Sequence, residues 1–224
     1  MNPTLFFSIC SLLYCLLLII TLYSRKEINN TENKVLKILA IVNLGNLLCE
    51  SAGIFLGKNY NSFKVLNDVT LRLMLVLYVI WFSFFVLFVL NVAKQKEKFS
   101  LKNNFIVYMI MIIVSVLVII LPINYITDNN GVIIYSSGMA VQMDYYYAMV
   151  CEIFSLLIAF KNYKKTKITN YASLFALIIL STLAAAIQSY YPSLLLTASS
   201  ETFVLYIAYI NIKNREKSKM LGEK

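Results

Sequence analysis

The chain has 224 residues, 60% of them apolar and only 14% charged, with a mean hydropathy of +0.73. That composition excludes an ordinary soluble domain, and the absence of histidine excludes a histidine phosphoacceptor, imidazole metal ligands and histidine acid–base chemistry within these residues. The net charge of +9 does not read as a nucleic-acid footprint, because the basic residues cap the ends of apolar stretches, where they set topology and meet anionic lipid.

Seven apolar stretches follow one another, at 4–24, 35–57, 71–93, 105–121, 145–160, 171–190 and 193–212. Most reach the ~20 residues that cross ~30 Å of hydrocarbon, and the shorter fourth and fifth are read as spans as well. The first lacks a basic leader and is too long for a signal-peptide core, so it is expected to stay as a helix. The second carries the internal glycines Gly45 and Gly53. In the third, Trp81, Phe82, Phe84, Phe85 and Phe88 spread around the helix, a pattern of packing and lipid contact. Between the fourth and fifth lies the longest outer gap, 122–144, which has no Lys or Arg. Tyr125-Ile126-Thr127 and Val132-Ile133-Ile134-Tyr135 flank Asp128-Asn129-Asn130-Gly131 there, which predicts a short β-hairpin over the outer mouth of the bundle. Tyr145, Tyr146 and Tyr147, with Tyr190 and Tyr191, are read as an aromatic belt at the outer interface. Pro3, Pro122 and Pro192 lie at helix ends and break no span.

Basic residues alternate between the gaps. Arg25, Lys26, Lys34 and Lys37 fall in the first, Lys94, Lys96, Lys98 and Lys102 in the third, and Lys161, Lys164, Lys165 and Lys167 in the fifth. Lys213, Arg215, Lys217, Lys219 and Lys224 follow the last stretch, and only Lys58, Lys64 and Arg72 lie on the other side. Basic loops stay in the cytoplasm. The expectation is an all-α, multi-pass plasma-membrane protein of seven transmembrane helices, amino terminus outside and carboxyl terminus cytoplasmic. Residues 1–212 form the membrane domain and 213–224 a basic tail. Short gaps make sequential helices antiparallel neighbours.

Three acids interrupt the spans: Glu50, Glu152 and Glu201. Each lies about seven residues from the outer end of its helix, which is ~10 Å deep at 1.5 Å per residue. Each extends a polar or small stripe that lipid cannot satisfy. Asn43, Asn46 and Glu50 share one face; so do Ala148, Glu152, Ser155 and Ala159, and Ser193, Thr197 and Glu201. Ser181, Ala185 and Gln188 make a similar stripe. No Lys or Arg lies within a span; Arg72, at the outer end of the third, is nearest. A mid-depth carboxylate is costly, so the acids are either an outward-open pocket for a cation, proton or polar ligand, or protonated carboxyls bonded between helices. The candidate ligand- or proton-sensing residues are therefore Glu50, Glu152, Glu201, Asn43, Asn46, Thr197 and Gln188. Cys49 and Cys151 precede two of the acids, but adjacent helical residues point about 100° apart, which disfavours a metal site. No cofactor is implied. No constellation for covalent catalysis is found, and the last stretch lacks the lysine a retinal protein needs.

Tyr23-Ser24-Arg25-Lys26-Glu27-Ile28 with Thr31-Glu32-Asn33-Lys34, then Ile134-Tyr135-Ser136-Ser137-Gly138-Met139-Ala140-Val141, then Pro192-Ser193-Leu194-Leu195-Leu196 leading to Thr202-Phe203-Val204-Leu205-Tyr206-Ile207, occur in that order. This succession resembles the multi-span sensor region of some bacterial sensor histidine kinases. The resemblance implies a membrane sensory input domain that passes a stimulus through the last helix to a cytoplasmic output, working as a homodimer whose tail helices pair. The basic segment after Ile210, where the family tends to be acidic, departs from the pattern, and no kinase core is present through Lys224. A small transporter or ion-binding carrier using the same three acids is the alternative. The unbroken spans and the lack of an internal repeat weigh against it. A structural or assembly subunit comes third. The partners expected are the bilayer, a second copy, a small ligand or ion and a signalling output.

Overall fold

The structure is a computed structural model, and it describes residues 3–24, 31–94, 104–129, 131–161, 168–191, 193 and 195–222. In chain order the elements are α1 (Pro3–Ser24), α2 (Thr31–Lys58), α3 (Tyr60–Lys94), α4 (Phe105–Ile120), β1 (Asn124–Thr127), β2 (Ile133–Ser137), α5 (Met139–Lys161), α6 (Ile168–Tyr190) and α7 (Thr197–Gly222). The seven apolar stretches are thus seven helices, with one hairpin where the turn residues predict it. Arg25, Lys26, Lys96, Lys98, Lys102, Asn130, Lys164, Lys165, Lys167, Pro192, Leu194 and Lys224 lie outside the described residues.

Four helices are long and apolar enough to cross a membrane: Leu5–Ser24, Glu32–Lys58, Tyr60–Val92 and Met139–Lys161. Phe105–Ile120 and Ile178–Tyr190 are apolar but shorter. Large apolar side chains stand exposed at helical spacing, among them Phe6, Leu13, Leu17 and Ile20 on α1 and Ile106, Ile113 and Ile120 on α4. Patches of that extent do not face water on a soluble monomer. The molecule is membrane-associated.

Helix α3 is the axis of the bundle and packs against α2, α4 and α5. Its aromatics face inward: Trp81, Phe82, Phe85 and Phe88 are all buried. Trp81 stacks on Phe85 with centroids 5.2 Å apart and meets Phe82 edge-on at the same separation. The packing expected of this cluster is present, whereas of its five members only Phe84 is left partly exposed; a helix surrounded on several sides buries residues all round. Helix α7 closes the bundle by packing on α1, α2 and α6.

Several boundaries differ from the sequence reading. Helix α3 begins at Tyr60, with only Asn59 between it and the end of α2, so the polar stretch before Leu71 is helical. No Gly or Pro lies between Lys58 and Leu121 to stop it, and polarity signals exposure rather than a break. The junction is a turn in which Ser62 and Phe63 donate to the Asn59 carbonyl at 3.0 and 3.2 Å, and Phe63 leaves helical geometry (φ −127°, ψ 32°). Arg72 therefore lies well inside α3 rather than at its outer end. Helix α5 starts at Met139 rather than at 145, and α7 runs from Thr197 to Gly222 rather than over 193–212. Ser193 is consequently an exposed loop residue and not part of the Thr197–Glu201 stripe.

The hairpin pairs Asn124 with Ser137, Tyr125 with Ser136 and Ile126 with Tyr135, with a bulge before Thr127. Asp128 accepts the Val132 amide on Oδ1 at 2.8 Å, and Gly131 takes φ 77° to close the turn. At its base Gly138 adopts φ 109°, and a Cβ there would lie 2.9 Å from the Pro122 carbonyl oxygen. A side chain is excluded twice over, by backbone conformation and by space. That single residue turns β2 directly into α5.

Candidate functional site: buried carboxylates beneath a tethered hairpin

The stripe on α2 faces wholly inward: Asn43, Asn46 and Glu50 are each 1% exposed or less. Glu50 lines a cavity of about 180 Å³ enclosed by α2, by Asn67 and Thr70 of α3, and by Tyr125 and Tyr135 of the hairpin. One oxygen of Glu50 accepts the Ser8 hydroxyl of α1. The other, Oε2, is buried and has no hydrogen-bond partner in the protein. Residues of the hairpin thus line the same cavity as a carboxylate with a free acceptor. An unmet buried acceptor calls for a water, an ion, a ligand or a proton beside it, and Glu152 Oε1 and Glu201 Oε1 share this condition.

The hairpin is tied down by a relay of side chains. The Tyr125 hydroxyl donates to Asp68 Oδ1 at 2.9 Å, and Arg72 Nε donates to Asp68 Oδ2 at 2.8 Å. The same guanidinium donates to the carbonyls of Ile119, Leu121 and Val118 at 2.5, 3.0 and 3.3 Å, covering the open end of α4. A cation at a helix C-terminus satisfies orphan carbonyls and opposes the dipole. The Tyr60 ring packs on Tyr125 with centroids 5.2 Å apart. Burial, and then the hydrogen bond to Asp68, push the Tyr125 phenol well above its ordinary value, so it remains a donor. Arg72 is committed to this latch and does not neutralise the deeper acids.

Glu201 of α7 meets α2. The Asn43 amide, oriented by its surroundings, donates to Glu201 Oε2 at 2.9 Å and accepts from Thr202 Oγ1 at 3.0 Å. Asn46 lies alongside the same carboxyl. Glu152 of α5 instead faces Ser181 and Thr182 of α6. Glu201 is within electrostatic reach of both other acids, yet of the three only Glu50 lines the cavity beneath the hairpin. Helix α3 packs against both α2 and α5, and its buried Tyr78 is within electrostatic reach of Glu50, Glu201 and Asp144. Gln188 and Thr197 meet at the start of α7. The Gln188 amide oxygen accepts Leu196 N, Thr197 N and Thr197 Oγ1 at 2.8, 2.8 and 2.7 Å, a side-chain cap for that helix.

Sequence reasoning missed Asp144. It is 8% exposed, its Oδ1 is buried without a partner, and it lines a second, smaller cavity of about 50 Å³ with Tyr78, Gln188 and Thr197. The signal was available: Asp144 is four residues before Ala148 and continues the stripe to Glu152. Placing it in the loop hid it. Ser8 was missed too, although Ser8, Ser11 and Cys15 make a buried small-residue stripe on α1. The tyrosine belt needs one correction. Tyr146 is exposed as expected, but Tyr147 is buried and its hydroxyl pairs with Ser83 of α3 at 2.7 Å.

No family model matches the chain, and no curated protein matches it in sequence.

Proposed function

We propose that this chain is a membrane-embedded sensory input domain, with seven spans, an outer amino terminus and a cytoplasmic carboxyl terminus. The basic gaps support that orientation. The observation that carries the reading is the Asn43–Glu201 contact, because it joins the helix that lines the lidded cavity to the helix that leaves the bundle. Occupancy beside Glu50 shifts α2 slightly. Through Asn43 that shift alters the fit of Glu201, and α7 carries the change along its length toward Gly222. Such a device needs two packings of α7 that a ligand binds with different affinity. The likeness of the chain's motif order to sensor regions of histidine kinases supports a signalling output and pairing of the tail helices in a homodimer.

A carrier would use the same buried acids, and flux separates the two. The purified chain is reconstituted in proteoliposomes, and proton and small-cation movement is followed by entrapped dyes. A sensor gives no protein-dependent flux. Flux abolished by Glu50→Gln would replace this reading with the carrier.

A further inference from the structure

The two cavities beneath the hairpin are neighbours. Leu71, Met74, Ser136 and Leu195 line both of them. Each holds one acid with a buried oxygen that lacks a protein partner, Glu50 in the larger and Asp144 in the smaller. Between these two ends the shared wall is mainly apolar. The order acid, apolar wall, acid is complementary to ammonium, methylene chain, ammonium. We propose that the two adjoining cavities together bind a short aliphatic diamine as its dication, one ammonium on Glu50 and the other on Asp144, with the methylene chain lying along Leu71, Met74 and Leu195.

Three features favour this class over its rivals. Lys58 lines the Glu50 cavity but is exposed, the Arg72 guanidinium is held by Asp68, and no described Lys or Arg pairs with Glu50 or Asp144. Tyr125 and Tyr135 border the Glu50 end, where ring faces and hydroxyls suit an ammonium group. A bare metal ion has too few ligands, since among the described residues no three Cys, Asp or Glu side chains converge. An anion would meet two carboxylates, and a zwitterion would put its own carboxylate against one of them. A dication satisfies the unpartnered oxygens of the two acids that line these cavities, Glu50 Oε2 and Asp144 Oδ1, and balances both carboxylates at once.

The inference rests on the hairpin-covered cavity being a ligand site, and does not require that the chain signals. The test uses the full chain in lipid nanodiscs, titrated calorimetrically with diaminobutane, butylamine and aminobutanoate. Diaminobutane should bind about tenfold tighter than butylamine or better, the gain of a second charge-assisted hydrogen bond, and aminobutanoate should bind weakest. Asp144→Asn should reduce diaminobutane to the butylamine level and leave butylamine unchanged. Glu50→Gln should weaken both. Equal affinity for diaminobutane and butylamine in the unaltered chain overturns the proposal without any variant having to fold. So does an absence of saturable amine binding, or an Asp144→Asn chain that still prefers the diamine. A chain that binds no amine but whose α7 still responds to Glu201→Gln loses the ligand and keeps the sensor reading. A chain that binds the diamine with α7 unmoved does the reverse.

Discussion

At the scale of single residues, the decisive chemistry is a few polar groups held where water is excluded. Asn43 is wholly buried and serves Glu201 and Thr202 at once. Asn43→Ala strips the donor from a buried carboxyl and should cost about 1–3 kcal/mol, read by denaturant titration in mild detergent. Thr202→Val removes only the weaker hydroxyl partner and should cost less. Gly138 acts through the backbone instead. Gly138→Ala places a Cβ against the Pro122 carbonyl at a φ that side chains rarely adopt, and should destabilise by about 1–3 kcal/mol in the same titration. Gly131→Ala should cost less, because the nearest atom there is the movable Asn61 amide. The acids Glu50, Glu152 and Glu201 were legible because charge is conspicuous in an apolar run. Their partners were not. Which polar group reaches which acid depends on helix rotation and on α3 lying between α2 and α5, and no spacing along the chain encodes that.

At the scale of elements, the hairpin was the most readable piece. The turn Asp128-Asn129-Asn130-Gly131 between β-formers specifies it locally, and the local signal agrees with the tertiary outcome. Its attachment was not readable, because Tyr125, Asp68 and Arg72 come from segments far apart in sequence. Tyr125→Phe keeps the ring on Tyr60 but deletes the bond to Asp68. Amide exchange across 124–137 should quicken several-fold in this variant while the helices exchange as before. The contribution has a definite pH sense. Folding raises the phenol value, so the stabilisation is full below the ordinary phenol range near ~10 and is lost as pH rises through the folded value. The difference between wild type and Tyr125→Phe should therefore be constant through neutral pH and shrink only in alkali. Helix starts were the least legible feature. Tyr60 and Met139 begin helices in stretches read as loops, since the apolar pattern marks what is buried in lipid or core and not where hydrogen bonding begins.

At the scale of the whole molecule, seven apolar stretches gave seven helices, and each packs on the next. The closure of the ring by α7 on α1 and α2 could not be read, because in an apolar chain helix partners are chosen by packing detail rather than by a hydrophobic face. That closure matters most for function, since it sets Glu201 against Asn43. The α2–α7 contact is expected to govern where the carboxyl-terminal part of α7 sits. The most direct measurement is the distance between spin labels at Lys34 on α2 and Lys213 on α7, both exposed, in nanodiscs, on a chain whose four cysteines are replaced by alanine. Glu201→Gln and Asn43→Ala should each shift or broaden this distance distribution, while Glu152→Gln, on a different helix pair, should leave it as it was. Superimposable distributions for all four chains would contradict that expectation.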